Sequence, residues 1–198
     1  SGLPTPGKKG NMQRIGLAIS QALALMREER ESEAIATITT ELQRQPKNPD
    51  LLLAHARCLI QSKRPDYETA RTILQSAHEN GQEKEMLFDF WFNCESQLGS
   101  IAGETEVCRK ALKLKLNKEY KWSYQLAKSL VRRSSLRSGV DKVNDLMEAS
   151  LYISKSIKDS QNRNREMHIS ESYEMHNLIW KLLENDTSIT WPQSFEFV

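Results

Sequence analysis

The chain is poor in the residues that punctuate or cross-link a fold. Eight glycines and six prolines among 198 residues leave little room for a loop-rich or collagen-like architecture and suit helices joined by tight turns. Cysteine is scarce and odd in number. Cys58, Cys94 and Cys108 form no CxxC pair, which argues against a disulfide framework and a paired-thiolate zinc site. Each falls inside an apolar helical pattern, so the expectation is a reducing compartment, cytoplasmic or otherwise intracellular, with the thiols as small core residues. No apolar run approaches the roughly 20 residues a membrane span needs, and the N-terminus has no apolar segment of signal-peptide type. Formal net charge is only +2, so no long-range field draws the chain to nucleic acid or an anionic membrane.

Motifs that carry chemistry are missing as well. There is no GxGxxG, GxxxxGKS/T, GxSxG or HExxH, and Gly99 to Gly103 (GSIAG) reads as a turn, not a phosphate cradle. The histidines His55, His78, His168 and His176 are scattered. His168 and His176 stand eight residues apart with Glu171 and Glu174 nearby, but no cysteine lies at ligand spacing. Carboxylate pairs such as Glu28 and Glu29 sit in a polar turn with nothing apolar around them to raise a pKa. Catalytic residues, a metal and a cofactor are therefore not expected.

What is present is a period. The hydrophobic set makes up 38%, charged residues 27%, and mean hydropathy is −0.61, ordinary values for one core-bearing domain and too apolar for a disordered chain. Ala34 and Ile38 return as Ala70 and Leu74 after 36 residues, and Leu74 and Ala77 return as Cys108 and Ala111 after a further 34. The small residues Ala24, Cys58, Cys94 and Ser129 fall 34, 36 and 35 residues apart. Self-similarity at this period, carried on helical spacings, marks stacked helical repeats.

Residues 1–11 (SGLPTPGKKGN) carry no period and read as a linker or a remnant of expression. Ile15, Ala18, Ala22, Leu25 and Met26 then line a first helix. The polar run Arg27 to Glu33 turns the chain, and Ala34, Ile35, Ile38 and Leu42 line a partner helix that stops before Pro46. Asn48-Pro49-Asp50 is expected to start the third helix, Lys63 to Asp66 to follow it, and Asn80-Gly81 to close the fourth. Met86 to Leu98 and Val107 to Leu114 make a third pair. The fourth has Trp122, Leu126, Ala127 and Leu130, a polar Arg132 to Gly139 loop, and a helix from Val140 to Lys158. Ile153 follows Cys108 by 45 residues, so about ten residues are inserted in this repeat. After a polar connector, Asp159 to Arg165, a last helix over Glu166 to Glu184 is expected to bury Ile169, Tyr173, His176, Trp180 and Leu183 and to cap the stack. The repeat domain thus covers 12–185, and 186–198 form a tail containing Trp191, Phe195, Phe197 and Val198.

These residues resemble the tetratricopeptide repeat family. Its motif places a small residue within the first helix, an alanine early in the second, a bulky residue one turn later, an alanine-leucine step and a closing proline. Ala22, Ala34, Ile38, Leu42 and Pro46 match in the first repeat, with Glu41 where alanine is usual. Ala56, Tyr67, Ala70, Leu74 and Ala77 match in the second, Cys108, Ala111 and Leu112 in the third, and Ala127, Ala149 and Ile153 in the fourth. Phe92, Glu95 and Glu104 depart from the motif. The resemblance runs from Ile15 to Lys158. It implies an all-α fold, a superhelical stack of about four hairpins with a C-terminal capping helix. It also implies a concave groove lined by the first helices and the role of a non-catalytic protein-protein interaction module, adaptor or scaffold.

On the family's groove-lining places stand Ile19, Leu23 and Met26, then Leu53, Arg57 and Ile60, then Met86, Asp89, Asn93 and Gln97, and finally Lys121, Tyr124, Lys128 and Arg132. Such a groove would be apolar at one end and basic at the other, suited to a partner's peptide or helix bearing acidic residues. The same positions also suit plain core (Ile19, Leu23, Leu53) and a solvated helix face (Lys128, Arg132). Within the aromatic cluster, Phe88 and Trp91 read as core and Phe90 as the surface aromatic, since residues one apart on a helix point about 100° away from each other. The family's chaperone-tail clamp needs lysine and asparagine at places occupied here by Ile19, Leu23, Ala54, Met86 and Phe90, so no clamp of that type is expected. Two alternatives stay open. One is a regulatory or nucleic-acid-binding domain using the basic cluster Arg132, Arg133, Arg137 and Lys142, though aromatic interleaving there is thin. The other is a self-associating, homo-oligomeric scaffold using the tail or the Phe cluster.

Overall fold

The computed structural model describes residues 8–116 and 118–186. Among them every regular element is an α-helix: α1 (Lys8–Arg27), α2 (Glu31–Arg44), α3 (Pro49–Gln61), α4 (Tyr67–Glu79), α5 (Glu85–Gln97), α6 (Ile101–Lys113), α7 (Glu119–Ser134), α8 (Gly139–Asn162) and α9 (Glu166–Glu184). No described helix is long and apolar enough to cross a membrane. α1 starts at Lys8, within the stretch read as linker. The tail from residue 187 onward, with the self-association assigned to it, lies outside the described residues. The chain divides into two compact units, 1–99 and 100–198, the boundary falling between α5 and α6.

In the first unit, local chemistry sets the helix ends. Asn48 Oδ1 accepts from the backbone N–H groups of Asp50 and Leu51, both at 3.1 Å, and Pro49 occupies the first turn, where its missing N–H leaves nothing unpaired. Gly81, at φ +93°, follows α4 in the left-handed conformation that closes a helix. α1 packs on α2 and α3, and α3 packs on α4 and α5, so the odd helices form one layer and the even helices the other. The repeat positions are the core of this unit: Ala22, Ala34, Ile38, Ala56, Ala70, Leu74 and Ala77 are fully buried. The alanines let the helices approach, and Ile38 and Leu74 fill the space between, each contributing roughly 1.5–3 kcal/mol by leaving water. Phe88 and Trp91 of α5 stack at 6.5 Å, with His78 of α4 edge-on to Phe88 at 5.5 Å. Two ion pairs link residues one repeat apart: Lys63 Nζ to Glu29 at 2.6 Å and Lys84 Nζ to Asp50 at 2.7 Å, each spanning 34 residues.

In the second unit, α7 packs on α6, α8 and α9, and α8 packs on α9. Cys108, Ala111, Leu126, Ala127, Leu130, Ala149 and Ile153 are fully buried. The insertion in the fourth repeat is taken up as helix. α3 to α6 have 13 residues each, whereas α7 has 16 and α8 has 24. Only residues 135–138 separate α7 from α8, in place of the longer loop expected over Arg132 to Gly139.

The buried face of α9 also differs from expectation. Ser172, Ile179 and Leu183 are buried, while Tyr173 is exposed. A serine pair accounts for the rotation. Ser172 Oγ lies 3.2 Å from Ser156 Oγ, which donates to the Tyr120 carbonyl at 2.8 Å. Two small hydroxyls let α8 and α9 approach closely, and Tyr173 is turned outward, its hydroxyl accepting from Gln161 Nε2 at 3.3 Å.

Candidate partner-binding cleft

The odd helices of the first unit line an open cleft. Ile19 and Leu23 come from α1, Asp50, Leu53, Ala54 and Arg57 from α3, and Lys84 and Met86 from the start of α5. Three- and four-residue steps put these side chains on single helix faces. Leu53 and Ala54 are buried and form the floor, Ile19, Leu23 and Arg57 are half-buried walls, and Met86, 46% exposed, forms the lip. A shallower extension runs along α1 past Ile15 to the exposed Met12.

The two ends of this cleft differ in charge. At one, Asp50 is held by Lys84 at 2.7 Å and by Gln82 Nε2 at 2.9 Å. These bonds, that of Lys84 foremost, keep its carboxyl below the usual range. At the other, Arg57 Nε donates to Gln61 Oε1 at 3.1 Å, and no carboxylate among the described residues pairs with its guanidinium. Arg27, one helical turn after Leu23 on the same face of α1, is exposed.

Ile19, Leu23, Leu53 and Arg57 therefore converge, joined by Met86. Asp89 and Asn93 are half-buried on α5 and do not line the cleft. Phe90 is half-buried, while Phe88 and Trp91 belong to the core. Pattern reading passed over Asp50, Lys84 and Met12. For the first two a signal existed, opposite charges exactly one repeat period apart.

In the second unit Tyr124, Lys128 and Arg132 follow one another at single-turn steps on α7. Lys128 is exposed. The Tyr124 ring lies 6.5 Å from His168 of α9, and burial, with Glu171 and Glu174 beyond it, pushes its phenol pKa up. Arg132 is committed inward, its Nη1 2.9 Å from both carboxylate oxygens of Glu104. The expected basic cluster is likewise drawn into pairs within the unit: Arg133 and Arg137 share Asp145, and Lys142 meets Asp186. The tight α7–α8 turn brings Asp145 back against the last turn of α7, which a linear reading of the arginines does not register.

Three glutamates, Glu41, Glu95 and Glu104, are buried, and each is met by hydrogen-bonding partners. Glu41 meets Arg14 and Arg44, both at 3.0 Å. Glu95 accepts from Trp91 Nε1 at 3.0 Å, with Arg71 at 3.8 Å. Glu104 accepts from Ser129 Oγ at 2.7 Å beside its bonds to Arg132. Among the described residues no group of three or more His, Cys, Asp or Glu stands close enough to hold a metal ion.

No protein-family model and no curated protein matches the sequence. Solved structures do match. The fold is similar to that of MamA. A structure of MamA 41-end from Desulfovibrio magneticus RS-1 aligns at a TM-score of 0.52 and 13% identity, over 88% of this chain and 98% of that one. A MamA RS-1 ArsTM double mutant aligns at 0.52 and 11% identity, over 87% and 98%. At such identities the likeness to MamA speaks to the fold alone, which is all-helical among the described residues.

Proposed function

We propose that this chain is a non-catalytic protein-interaction module of tetratricopeptide type, about four hairpins closed by α9, which seats a partner's peptide or helix in the cleft of the first unit. The observation that carries this reading is the cleft itself: an open apolar surface over Leu53 and Ala54, ending at the Arg57 guanidinium, which has no carboxylate partner among the described residues. An apolar side chain seated there would gain about 25 cal/mol for each Å² it removes from water. A neighbouring carboxylate would gain a charge-assisted hydrogen bond to Arg57. The preferred ligand is therefore an apolar anchor with an acidic residue beside it, taken up by an adaptor or scaffold. The acidic preference rests on Arg57, since Arg132 is bound by Glu104. The internally paired cluster after α7 gives a nucleic-acid reading no footing.

Panning a random peptide display library against the folded chain tests this. Enrichment of sequences with apolar anchors next to Asp or Glu is expected, with binding abolished by Met86→Glu and weakened by Arg57→Glu. Peptides that bind both variants as well as the original chain, or no enrichment at all, would remove the reading.

A further inference from the structure

α1 keeps a glycine where its own packing asks for none. Gly16 lies in the interior of the helix, where glycine is the poorest helix former after proline. It is exposed, and a Cβ there would touch no other part of the described chain within 4 Å, the backbone of its own helix aside. Neither a turn nor a close approach within the chain requires glycine at this place, yet the fold bears its conformational cost.

Gly16 borders the cleft. Met12, Gly16, Ile19 and Leu23 succeed one another at steps of four, three and four residues and make one face of α1, about 16 Å long. Met12 and Gly16 share the shallower extension with Asn48 and Asp50 at the start of α3, whereas Leu23 and Arg57 stand further along. This lining offers little to a bare backbone. Asn48 commits its Oδ1 to capping α3 and its Nδ2 to Gln45 Oε1 at 3.3 Å. Asp50 and Lys84 hold each other, and from there to Arg57 the lining is apolar. An extended peptide laid along it would leave N–H and C=O groups without partners. A helix bonds its own.

We infer that the cleft takes an amphipathic α-helix of a separate protein, and that this helix crosses α1 at Gly16. The inference rests on the interaction reading above and narrows its ligand from peptide or helix to helix alone. Without a Cβ at Gly16, the backbone of the incoming helix comes closer to α1, toward the short end of the usual separation of about 8–10 Å between helix axes. Its apolar side chains, three and four residues apart, meet Ile19, Leu53 and Met86. An aspartate or glutamate on the same helix meets Arg57, whose guanidinium pairs with no carboxylate among the described residues. That charge match is what specifies an acidic partner.

Two display libraries panned against the full chain test this. Both carry apolar anchors and Asp or Glu at random positions, one on an alanine-rich helical background and the other with proline at every fourth place, which bars a helix. Enrichment is expected from the helical library alone. The enriched helices should lose about tenfold or more in affinity for Gly16→Leu, while Gly16→Ala raises the melting temperature of the unliganded chain by about 2–3 °C. Enrichment from the proline library, or helices that bind Gly16→Leu as well as the original chain, would overturn the inference; binding still abolished by Met86→Glu would then leave the cleft reading standing. Enrichment from neither library would overturn both. A lower melting temperature for Gly16→Ala would make the glycine a requirement of the fold and overturn the crossing. An unliganded chain whose mass by light scattering doubles with concentration, but not as Gly16→Leu, would overturn it in favour of a second copy as the occupant.

Discussion

Both carboxylate oxygens of Glu104 lie 2.9 Å from Nη1 of Arg132, and Ser129 Oγ donates to the same group at 2.7 Å. Glu104 is 0% exposed and stands where the repeat motif has alanine. A lone carboxylate there would be costly to bury, by several kcal/mol. The guanidinium and the hydroxyl offset that cost and tie α6 to α7 at a point where alanine would only have filled space. The same device recurs at Glu41, where Arg14 and Arg44 converge.

Removing one partner should therefore hurt more than removing both. Arg132→Ala is expected to destabilise by about 1–3 kcal/mol, less than for a wholly buried pair because the arginine side chain is 46% exposed. Adding Glu104→Ala should recover much of the loss by restoring the motif's alanine. Urea unfolding midpoints of the single and double variants decide it. A double variant no more stable than Arg132→Ala would show that the pair is not what makes the site costly.

The cleft separates stability from binding. Leu53 is buried in its floor, so Leu53→Ala should cost roughly 2–4 kcal/mol of stability along with any affinity. Met86 is half exposed at the lip, and Met86→Ala should change stability by no more than about 0.5 kcal/mol while still weakening a selected peptide. Thermal denaturation and peptide titration on the same two variants distinguish the cases.

Stability should carry a pH dependence from His55. Burial pushes its imidazole pKa below the ordinary 6.5, so the unfolded chain takes up a proton at a higher pH than the folded one. This contribution is full above pH 6.5 and is lost as pH falls through the lower folded value. His55→Gln should flatten the denaturation midpoint between neutral and mildly acidic pH. An unchanged slope would assign the dependence to another group.

The thiols should be inert in the folded chain. All three cysteines are buried and free. Burial pushes every one of their pKa values up, that of Cys94 to about 12 and that of Cys108 further still, so thiolate is negligible near neutral pH. A thiol-disulfide colour reagent at pH 8 should register no fast reaction until denaturant is added, and then three equivalents. A fast equivalent in native buffer would contradict the buried placement.

The repeat was legible because its cause is local and periodic. Small residues at fixed intervals let helices approach, and Ala34, Ile38, Ala70, Leu74, Cys108 and Ala111 are buried where the period puts them. Helix starts such as Asn48-Pro49 were legible for a similar reason, since a cap depends on a few adjacent residues. Part of the cleft was foreseen only through the family resemblance, whose groove-lining places Ile19, Leu23, Leu53 and Arg57 occupy.

By itself, then, the order of residues determined that the chain is helical, caps such as that of Asn48, and the positions that interlock. Tertiary structure decided how charge is used. Whether an arginine is a free cation or half of an internal pair depends on which carboxylate the neighbouring helix delivers. Arg132, Arg133 and Arg57 look alike in sequence, yet Glu104 and Asp145 claim the first two and leave the third to face the cleft. The rotation of α9 was decided in the same way, by a serine pair that brings two helices together. Hydropathy is a property of one residue, whereas pairing is a property of two that only the fold brings within reach.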